Sequence, residues 1–199
     1  MKTISFLAVL IIGWYTYQWL DPTVAYPPGV LIASDPVQTE ASPDEALIAT
    51  GKFQLKALAH FSLDARVLHR KIYRYDQGAD LVPVDLAVGW GPMSDQSVLD
   101  RLEISQASRF FYYEYRGVPP IAREEIVAHA TNLHLIPSNP TIAGRCRSLR
   151  AGDLIHLSGL LVEASGPGIG TWRSSLTRTD SGNGACELVW VQEVTKIAR

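Results

Sequence analysis

The feature that most constrains the fold is an alternation of apolar and polar residues over residues 53–67. Apolar side chains stand at every second position, namely Phe53, Leu55, Ala57, Ala59, Phe61, Leu63, Ala65 and Val67. Because side chains along a β-strand point alternately to its two faces, this period predicts one long antiparallel strand with one buried face. The alternation slips near Leu68, which indicates a bulge or a bend. A long bent strand of this kind allows a sheet to curl strongly.

Shorter segments with helical and extended patterns follow this strand. Short helices are predicted at residues 83–91, 96–102, 122–130 and 140–149. Further strands are predicted at residues 109–115, 133–136, 153–163, 171–177 and 186–194. Gly159, inside one of them, indicates a bulge or a tight bend. The sum predicts an α+β fold whose antiparallel strands form a small β-barrel or a strongly curved sheet, with an OB-like arrangement as one option.

The first twenty residues form an apolar segment with three competing interpretations. No charge occurs between Lys2 and Asp21. A buried core helix is disfavoured because the segment has no polar face, and a cleaved signal peptide is disfavoured because residues 23–25 make a poor cleavage site. Residues 3–20 are near the lower limit of the roughly 20 residues that span a bilayer. Aromatic rings cluster at the end of the segment, as they do at membrane interfaces. We therefore predict an uncleaved transmembrane signal anchor at residues 1–20.

Charge predicts the orientation and the domain organisation. Residues 1–47 carry one Lys and five acids, whereas residues 48–199 carry 17 Lys and Arg against 15 Asp and Glu. The positive-inside rule then places the N-terminus in the cytoplasm and the rest of a single-pass inner-membrane protein in the periplasm. Residues 21–47 are acidic and contain several prolines, which predicts a linker. Residues 48–199 are long enough for one extracytoplasmic α+β domain, and their near-neutral charge argues against nucleic acid as a partner.

Two cysteines and two histidines are the first candidates for chemistry. If the domain is outside the cytoplasm, Cys146 and Cys186 are able to form a disulfide. They are otherwise two inert thiols, or Cys186 is a reactive nucleophile. A reactive Cys186 needs a histidine that holds it as a thiolate, and His134 and His129 flank a predicted helix-to-strand break. These three options remain open at the level of sequence.

Five arginines form a candidate binding surface for an anionic partner such as a lipid headgroup or a glycan: Arg145, Arg147, Arg150, Arg173 and Arg178. The first three also suit the end of a helix, where cations interact favourably with the helix dipole, so an ordinary solvated surface is the competing interpretation. The histidines and cysteines have neither His-x-x-x-His nor Cys-x-x-Cys spacing. No phosphate-binding or dinucleotide-binding motif occurs either. The sequence therefore predicts no metal and no cofactor.

Several segments together resemble a bacterial family of hypothetical proteins that have an N-terminal hydrophobic segment and no assigned activity. These segments are residues 89–95, 104–110, 132–137, 151–159, 172–178 and 182–187. The likeness covers about residues 50–194. It implies no catalytic residue, but Cys186 falls in one of the family-like segments and Cys146 does not, which weakens the disulfide option.

The patterns favour a non-enzymatic, membrane-tethered domain that binds a partner in the cell envelope or supports an envelope assembly. One alternative is a thiol hydrolase or transferase acting on an envelope substrate, with Cys186 as nucleophile and His134 or His129 as base. Another is an OB-like module that binds a glycan or nucleic acid.

Overall fold

A computed structural model describes residues 23–42, 44–177 and 185–198. The fold is mixed α+β and consists mostly of sheet with a few short helices, as predicted in outline. Among the described residues, strands β1 to β10 span Val37–Glu40, Ile48–Thr50, Phe53–Ile72, Val84–Gly89, Glu103–Ala107, Phe110–Glu114, Ala130–Pro137, Leu154–Gly166, Gly170–Arg173 and Glu187–Lys196. Helices α1 to α3 span Gln96–Leu99, Arg123–Ala128 and Pro140–Ser148, and a 3-10 helix covers Gly91–Ser94.

The long alternating segment is one strand, β3, of 20 residues. Its first part pairs antiparallel with β8 from Gln54 to Arg66, and its last part pairs antiparallel with β4. The register shifts between Val67 and His69, where the sequence predicts a bulge. Because β3 bonds both β4 and β8, the hydrogen-bonded order β3-β4-β7-β10-β8 returns to β3. Strands β1 and β2 also pair with β3, and β9 pairs with β8. Within this order β7 and β10 are parallel, and β5 pairs with β6 in a separate two-stranded hairpin.

Strand β4 corrects one sequence prediction. Residues 83–91 were expected to form a helical turn, yet Val84–Gly89 is a strand with all six residues buried. A strand covered on both faces shows no alternation, so the period of two that marked β3 is absent from it. Pro83 precedes the first residue of the strand, a position that a proline tolerates because its missing N–H is not needed there.

The main core lies on one face of the sheet formed by β3, β4, β7, β10 and β8. Val84, Leu86, Leu133 and Leu135 belong to this cluster, together with residues of β3, β8 and β10. Alternation then turns the intervening residues of β4 and β7 to the opposite face, which we call the outer face. The outer face carries Asp85, Ala87, Asn132 and His134, and all four are buried under other elements. Three of these buried residues are polar, so this face requires hydrogen-bonding partners.

Gly159 sits at a close approach of two strands. A Cβ at this position would lie 2.0 Å from the carbonyl oxygen of Trp190, and the partner strand β10 has a register shift between Val191 and Glu193. Only glycine fits so near a neighbouring backbone, as its position inside a strand indicates.

Residues 23–35 run along the domain surface, and we call them the N-terminal strap. The amide of Val24 donates to the carbonyl of Ala151 at 3.0 Å. Further along, the amides of Leu31 and Ile32 both donate to Ser94 Oγ at 3.0 Å. These contacts fix part of the segment predicted as linker against the domain, while the linker as a whole stays a prediction.

The side chain of Asp95 joins the strap to α1. It accepts from the amide of Gly29 at 2.9 Å and caps α1 by accepting from the amide of Ser97 at 2.8 Å. These donors, with the hydroxyl of Ser97, hold the pKa of Asp95 below its ordinary value because they stabilise the carboxylate. Within the described residues, no helix is long and apolar enough to cross a membrane. The predicted anchor, residues 1–20, lies outside that part of the chain.

Candidate functional site

A buried carboxylate lies at the centre of the polar group on the outer face. Asp85 is fully buried on β4, directly opposite His134 in the register with β7. Its Oδ1 accepts from Arg109 Nη1 at 3.0 Å and lies 3.0 Å from His134 Nδ1. Asp85 Oδ2 has no hydrogen-bond partner among the described residues. A charge at this depth is costly unless it is paired, so Asp85 depends on the basic groups beside it.

Arg109 joins the β5–β6 hairpin to the sheet. Its Nε and Nη2 donate to the two carboxylate oxygens of Asp76 at 2.8 and 2.7 Å, which is a bidentate pair. Its Nη1 donates to the carbonyl of Val82 at 2.9 Å as well as to Asp85. The guanidinium thus connects the hairpin tip to the loop between β3 and β4 and to the buried carboxylate.

The hairpin tip has an unfavourable backbone conformation. Ser108 and Arg109 have φ of 51° and 71°, a left-handed region that residues other than glycine rarely adopt. Positive φ at both central residues is what a two-residue hairpin turn requires. Such conformations cost about 1–3 kcal/mol each and persist where the surroundings enforce them. The contacts of Arg109 supply that enforcement.

Tyr73 contacts both the side chain and the backbone of Arg109. The guanidinium carbon lies 3.6 Å from the centre of the Tyr73 ring, and the Tyr73 hydroxyl accepts from the amide of Arg109 at 3.2 Å. Burial, together with the nearby Asp85 carboxylate, raises the pKa of Tyr73. The ring therefore stays a neutral phenol against which the cation stacks.

A chain of side-chain amides continues from this centre across the outer face. Gln106 on β5 bonds His69 Nδ1 at 2.9 Å and donates to the side-chain oxygen of Asn132. The side-chain nitrogen Nδ2 of Asn132 donates to the backbone carbonyl of Arg109 at 3.0 Å and lies 3.9 Å from Cys186 Sγ. The hairpin is thus held to the sheet by polar contacts at its tip and along β5.

The residues around His134 form a recess that we call the polar pocket. It is lined by Arg109, Phe110, His134, Thr171, Trp172, Arg173 and Cys186. The Trp172 ring meets the His134 ring edge-on with 4.8 Å between centres. Trp172 also packs on Gly78, where a Cβ would lie 3.1 Å from the indole. The pocket therefore presents an indole and an imidazole beside basic side chains.

A second recess adjoins the polar pocket, and we call it the apolar cavity. It has a volume of about 160 Å³. Apolar side chains from the hairpin, α2 and the start of the 3-10 helix form most of its wall, namely Trp90, Phe110, Phe111, Tyr113, Ile126 and Val127. Phe110 and Cys186 line both recesses, which places them at the boundary between the two.

The structure brings one of the two predicted bases to the candidate nucleophile and leaves the other elsewhere. Cys186 and His134 line the same pocket, and Asp85 stands behind the His134 ring. His129 lines neither recess. Its Nδ1 contacts the carbonyl of Glu125 at 2.9 Å, and its ring packs on Trp90. Of the two predicted bases, His134 is therefore the one near Cys186.

The two cysteines lie on different faces of the sheet. Cys146 lies on α3 and is fully buried in the main core, whereas Cys186 is half-buried at the polar pocket. No disulfide joins them, so the structure does not form the bond that sequence left open. They are separated because α3 packs into the main core, on the face opposite the one that Cys186 lines. Burial raises the pKa of the Cys146 thiol to about 12.

The predicted arginine surface is divided between elements. Arg145, Arg147 and Arg150 are exposed at the end of α3 and the turn after it. Arg173 lies instead on β9, where it pairs with Glu163 at 2.7 Å and lines the polar pocket. Arg178 lies outside the described residues. Among the residues that are described, no group of three or more His, Cys, Asp or Glu side chains is arranged to hold a metal ion.

Sequence reasoning missed Asp85, Arg109 and Trp172. Asp85 stands inside a short apolar segment that was read as helical, and Arg109 stands in a turn without glycine or asparagine. A single acid inside an otherwise buried apolar strand was the one available indication of an internal ion pair.

No protein-family model matches the chain, and comparison with curated proteins and with solved structures finds no significant match.

Proposed function

We propose that this chain is a membrane-tethered, extracytoplasmic binding domain and that the polar pocket is its ligand site. The observation that carries the proposal is the convergence of four separate segments of the chain on one recess. The hairpin tip, β7, β9 and Cys186 before β10 line the recess, while the loop after β3 and strand β4 supply the two carboxylates that hold Arg109. A recess with a few convergent polar groups and aromatic walls is the usual form of a small-ligand site.

The proposal includes an OB-like barrel as the scaffold. It is supported by the closed order β3-β4-β7-β10-β8, by the parallel pairing of β7 with β10, and by helix α3 between β7 and β8. An OB-fold is a five-stranded Greek-key barrel that binds ligands on the face of its second and third strands and between two loops. Here those strands correspond to β4 and β7. The corresponding connections contain Asp76, which is bonded to Arg109, and Trp172, which lines the polar pocket.

The chemistry of the pocket favours binding over catalysis. Arg109 is engaged by two carboxylates and a carbonyl, so its role is to hold the hairpin in place. The groups offered to a ligand are the indole of Trp172, the ring of Phe110, the donors of Arg173 and the imidazole of His134. Flat rings and donors together suit stacking plus hydrogen bonding, a combination that needs no reactive group.

The tether is proposed from residues 1–20 and from the strap. Only residues 21–23 separate the apolar segment from Val24, whose amide is bonded to Ala151. Three extended residues reach at most about 11 Å. If the apolar segment spans the membrane, the domain is held close to the bilayer. An envelope partner or ligand is then met at the membrane surface.

Two experiments test the proposal. The full chain, produced in a bacterial host, is expected in the membrane fraction after washing with salt and alkaline carbonate, and its domain is expected to be digested by protease in intact spheroplasts. In a strain that lacks the gene, a chain without residues 1–20 and the Trp172→Ala variant are expected to fail in complementation. Cys186→Ser and Arg147→Gln are expected to complement. Protection of the domain in intact spheroplasts, or full activity of Trp172→Ala, would refute the proposal.

A thiol transferase or hydrolase is the second candidate. It is favoured by Cys186 and His134 lining one pocket, with Asp85 3.0 Å from His134 Nδ1. A nucleophile and a base are parts that such chemistry requires, and a carboxylate lies beside the base, although His134 Nδ1 forms no hydrogen bond among the described residues. The test is the rate of alkylation by iodoacetamide across pH. A rate that follows an ordinary thiol with pKa near 8.5, combined with full complementation by Cys186→Ser, removes this candidate.

A further inference from the structure

We infer that the end of helix α3 carries a surface that binds anionic lipid headgroups and holds the domain in one orientation on the bilayer. We call it the basic surface and define it as Arg145, Arg147 and Arg150, which are all exposed. The inference rests on the tether of the proposed function. It goes beyond that proposal, because it assigns a partner to residues that lie outside the polar pocket.

The basic surface lies beside the first strap residue that is bonded to the domain. The amide of Val24 donates at 3.0 Å to the carbonyl of Ala151, the residue that follows Arg150. The two backbones approach so closely here that a Cβ on Gly152 would lie 2.0 Å from the carbonyl oxygen of Val24. Residues 21–23, even when fully extended, reach at most about 11 Å. If residues 1–20 span the bilayer, the end of α3 therefore lies next to the headgroups.

The packing of α3 keeps the arginine side chains outside the core. Ile142 and Cys146 on the helix are buried, and so is Leu149 directly after it. These three positions recur every three or four residues and form one buried stripe. Arg145 and Arg147 lie to either side of that stripe in the last turn of the helix. Their side chains are thus presented to the surroundings at the helix end that points toward the start of the strap.

The charges of Arg145 and Arg147 are not neutralised by a carboxylate among the described residues. Arg145 Nη1 donates only to the carbonyl of Val194, at 3.4 Å. Of the acids nearby, Asp153 is engaged by Lys196 at 2.7 Å. The surface therefore carries positive charge that an anionic headgroup is able to compensate.

Helix stabilisation is the competing explanation for these arginines, and it makes a different prediction. Cations in the last turn interact favourably with the helix dipole, an effect that does not depend on lipid. A basic residue near an anionic membrane surface instead strengthens attraction to that surface about fivefold. Salt weakens this attraction, because exposed charges are screened over about 10 Å at 0.1 M ionic strength. The dependence on lipid charge and on salt therefore distinguishes the two roles.

The test measures quenching of a fluorophore on α3 by lipids that carry a spin label on the headgroup. Gly144 is exposed, and a Cβ there would meet no atom from the rest of the fold within 4 Å, so Gly144→Cys provides the attachment site. The full chain also carries Cys186→Ser, and Cys146 stays unlabelled because it is fully buried. The chain is reconstituted in nanodiscs of phosphatidylcholine, with or without about one third phosphatidylglycerol. Tyr112→Cys, on the exposed side of the β5–β6 hairpin, is the control site.

Phosphatidylglycerol is expected to increase quenching of the label at Gly144 and to leave the label at Tyr112 unchanged. About 0.5 M NaCl is expected to reverse the increase. The double variant Arg145→Gln/Arg147→Gln is expected to lower the ratio of quenched to unquenched label at Gly144 about 25-fold, about fivefold for each arginine. Its fluorescence lifetimes supply that ratio.

The matched control is Arg101→Gln/Arg116→Gln, which removes two other exposed arginines and the same total charge. It is expected to show the same quenching as the chain with all its arginines. Circular dichroism checks that each variant is folded. If Arg145→Gln/Arg147→Gln does not fold, the dependence on phosphatidylglycerol and on salt in the chain with all its arginines still decides the question.

Equal quenching at Gly144 with and without phosphatidylglycerol, or equal quenching in the two double variants, overturns the inference. If Trp172→Ala still fails in complementation, such a result shows that the lipid contact is wrong and the proposed function stands. A full chain that does not enter the nanodiscs overturns the tether, and the inference falls with it.

Discussion

Replacement of Arg109 by alanine is the most informative perturbation of the site. The change removes the basic partner of Asp85, whose side chain is 0% exposed, and the side chain of Arg109 is itself only 16% exposed. Breaking a buried ion pair on one side costs about 3–5 kcal/mol, because the remaining charge is left uncompensated. His134 beside Asp85 offsets part of this cost. We therefore expect a loss of about 3 kcal/mol in the free energy of unfolding.

The assay is urea and thermal unfolding of the full chain in mild detergent, followed by near-ultraviolet circular dichroism. For a chain of this size, about 3 kcal/mol corresponds to a fall in Tm of about 6–12 °C. Lys52→Ala is the matched control, because Lys52 and Asp80 are 51% and 70% exposed in their ion pair. Exposed pairs contribute less than about 1 kcal/mol, so this variant is expected to unfold almost as the wild type does.

Two further variants separate charge from backbone strain. Arg109→Gly loses the same contacts as Arg109→Ala but relieves the φ of 71°, so it is expected to be about 1 kcal/mol less destabilised. Arg109→Ala combined with Asp85→Asn removes both charges and is expected to cost about 1–2 kcal/mol less than the sum of the single changes. A loss below about 1 kcal/mol for Arg109→Ala, or additive effects in the double variant, would refute the reasoning that Arg109 neutralises Asp85.

Three other predictions concern the thiols, the strap and pH. Iodoacetamide at pH 8 is expected to label Cys186 in the folded chain and to leave Cys146 unlabelled, because burial raises the pKa of Cys146 to about 12. Mass spectrometry measures the labelling of each cysteine, and equal labelling contradicts the prediction. Gly152→Ala would place a Cβ 2.0 Å from the carbonyl oxygen of Val24, so cleavage near Val24 in limited proteolysis should accelerate, whereas an unchanged rate contradicts the docking of the strap. The pKa of Asp95 is lowered in the folded state, so its contribution to stability is present above its ordinary pKa and is lost as pH falls through the folded value. Asp95→Asn should therefore flatten the acid side of the curve of unfolding free energy against pH, and an unchanged curve refutes this.

The part of the fold that could be predicted is the part that local pattern determines. Strand β3 was readable because one of its faces is buried and the other is not, and the helix at Pro140 was readable from the proline at its start. The closing of the strand order was not readable, since the pairing of β3 with β8 joins residues far apart in the chain, and the OB-like arrangement stays a proposal. Strand β4 was misread because a strand buried on both faces has no period of two.

The candidate site was predicted only in part, for a related reason. Cys186 and His134 were singled out by residue type, and both line the polar pocket. Asp85 and Arg109 were missed, although they organise the site, because neither residue indicates a role until the two form an ion pair. A buried acid and a turn residue of unusual backbone conformation become one ion pair only when the hairpin folds back over β4. A single sequence does not show that these two residues meet.

The most direct test of the central claim is labelling of Cys186 by a membrane-impermeant maleimide in intact spheroplasts that produce the full chain. Cys186 lines the polar pocket, and Cys146 is fully buried, so the label reports on the pocket alone. The account predicts labelling of the wild type without lysis and none of the Cys186→Ser variant. Labelling of the wild type only after lysis would contradict an extracytoplasmic binding domain.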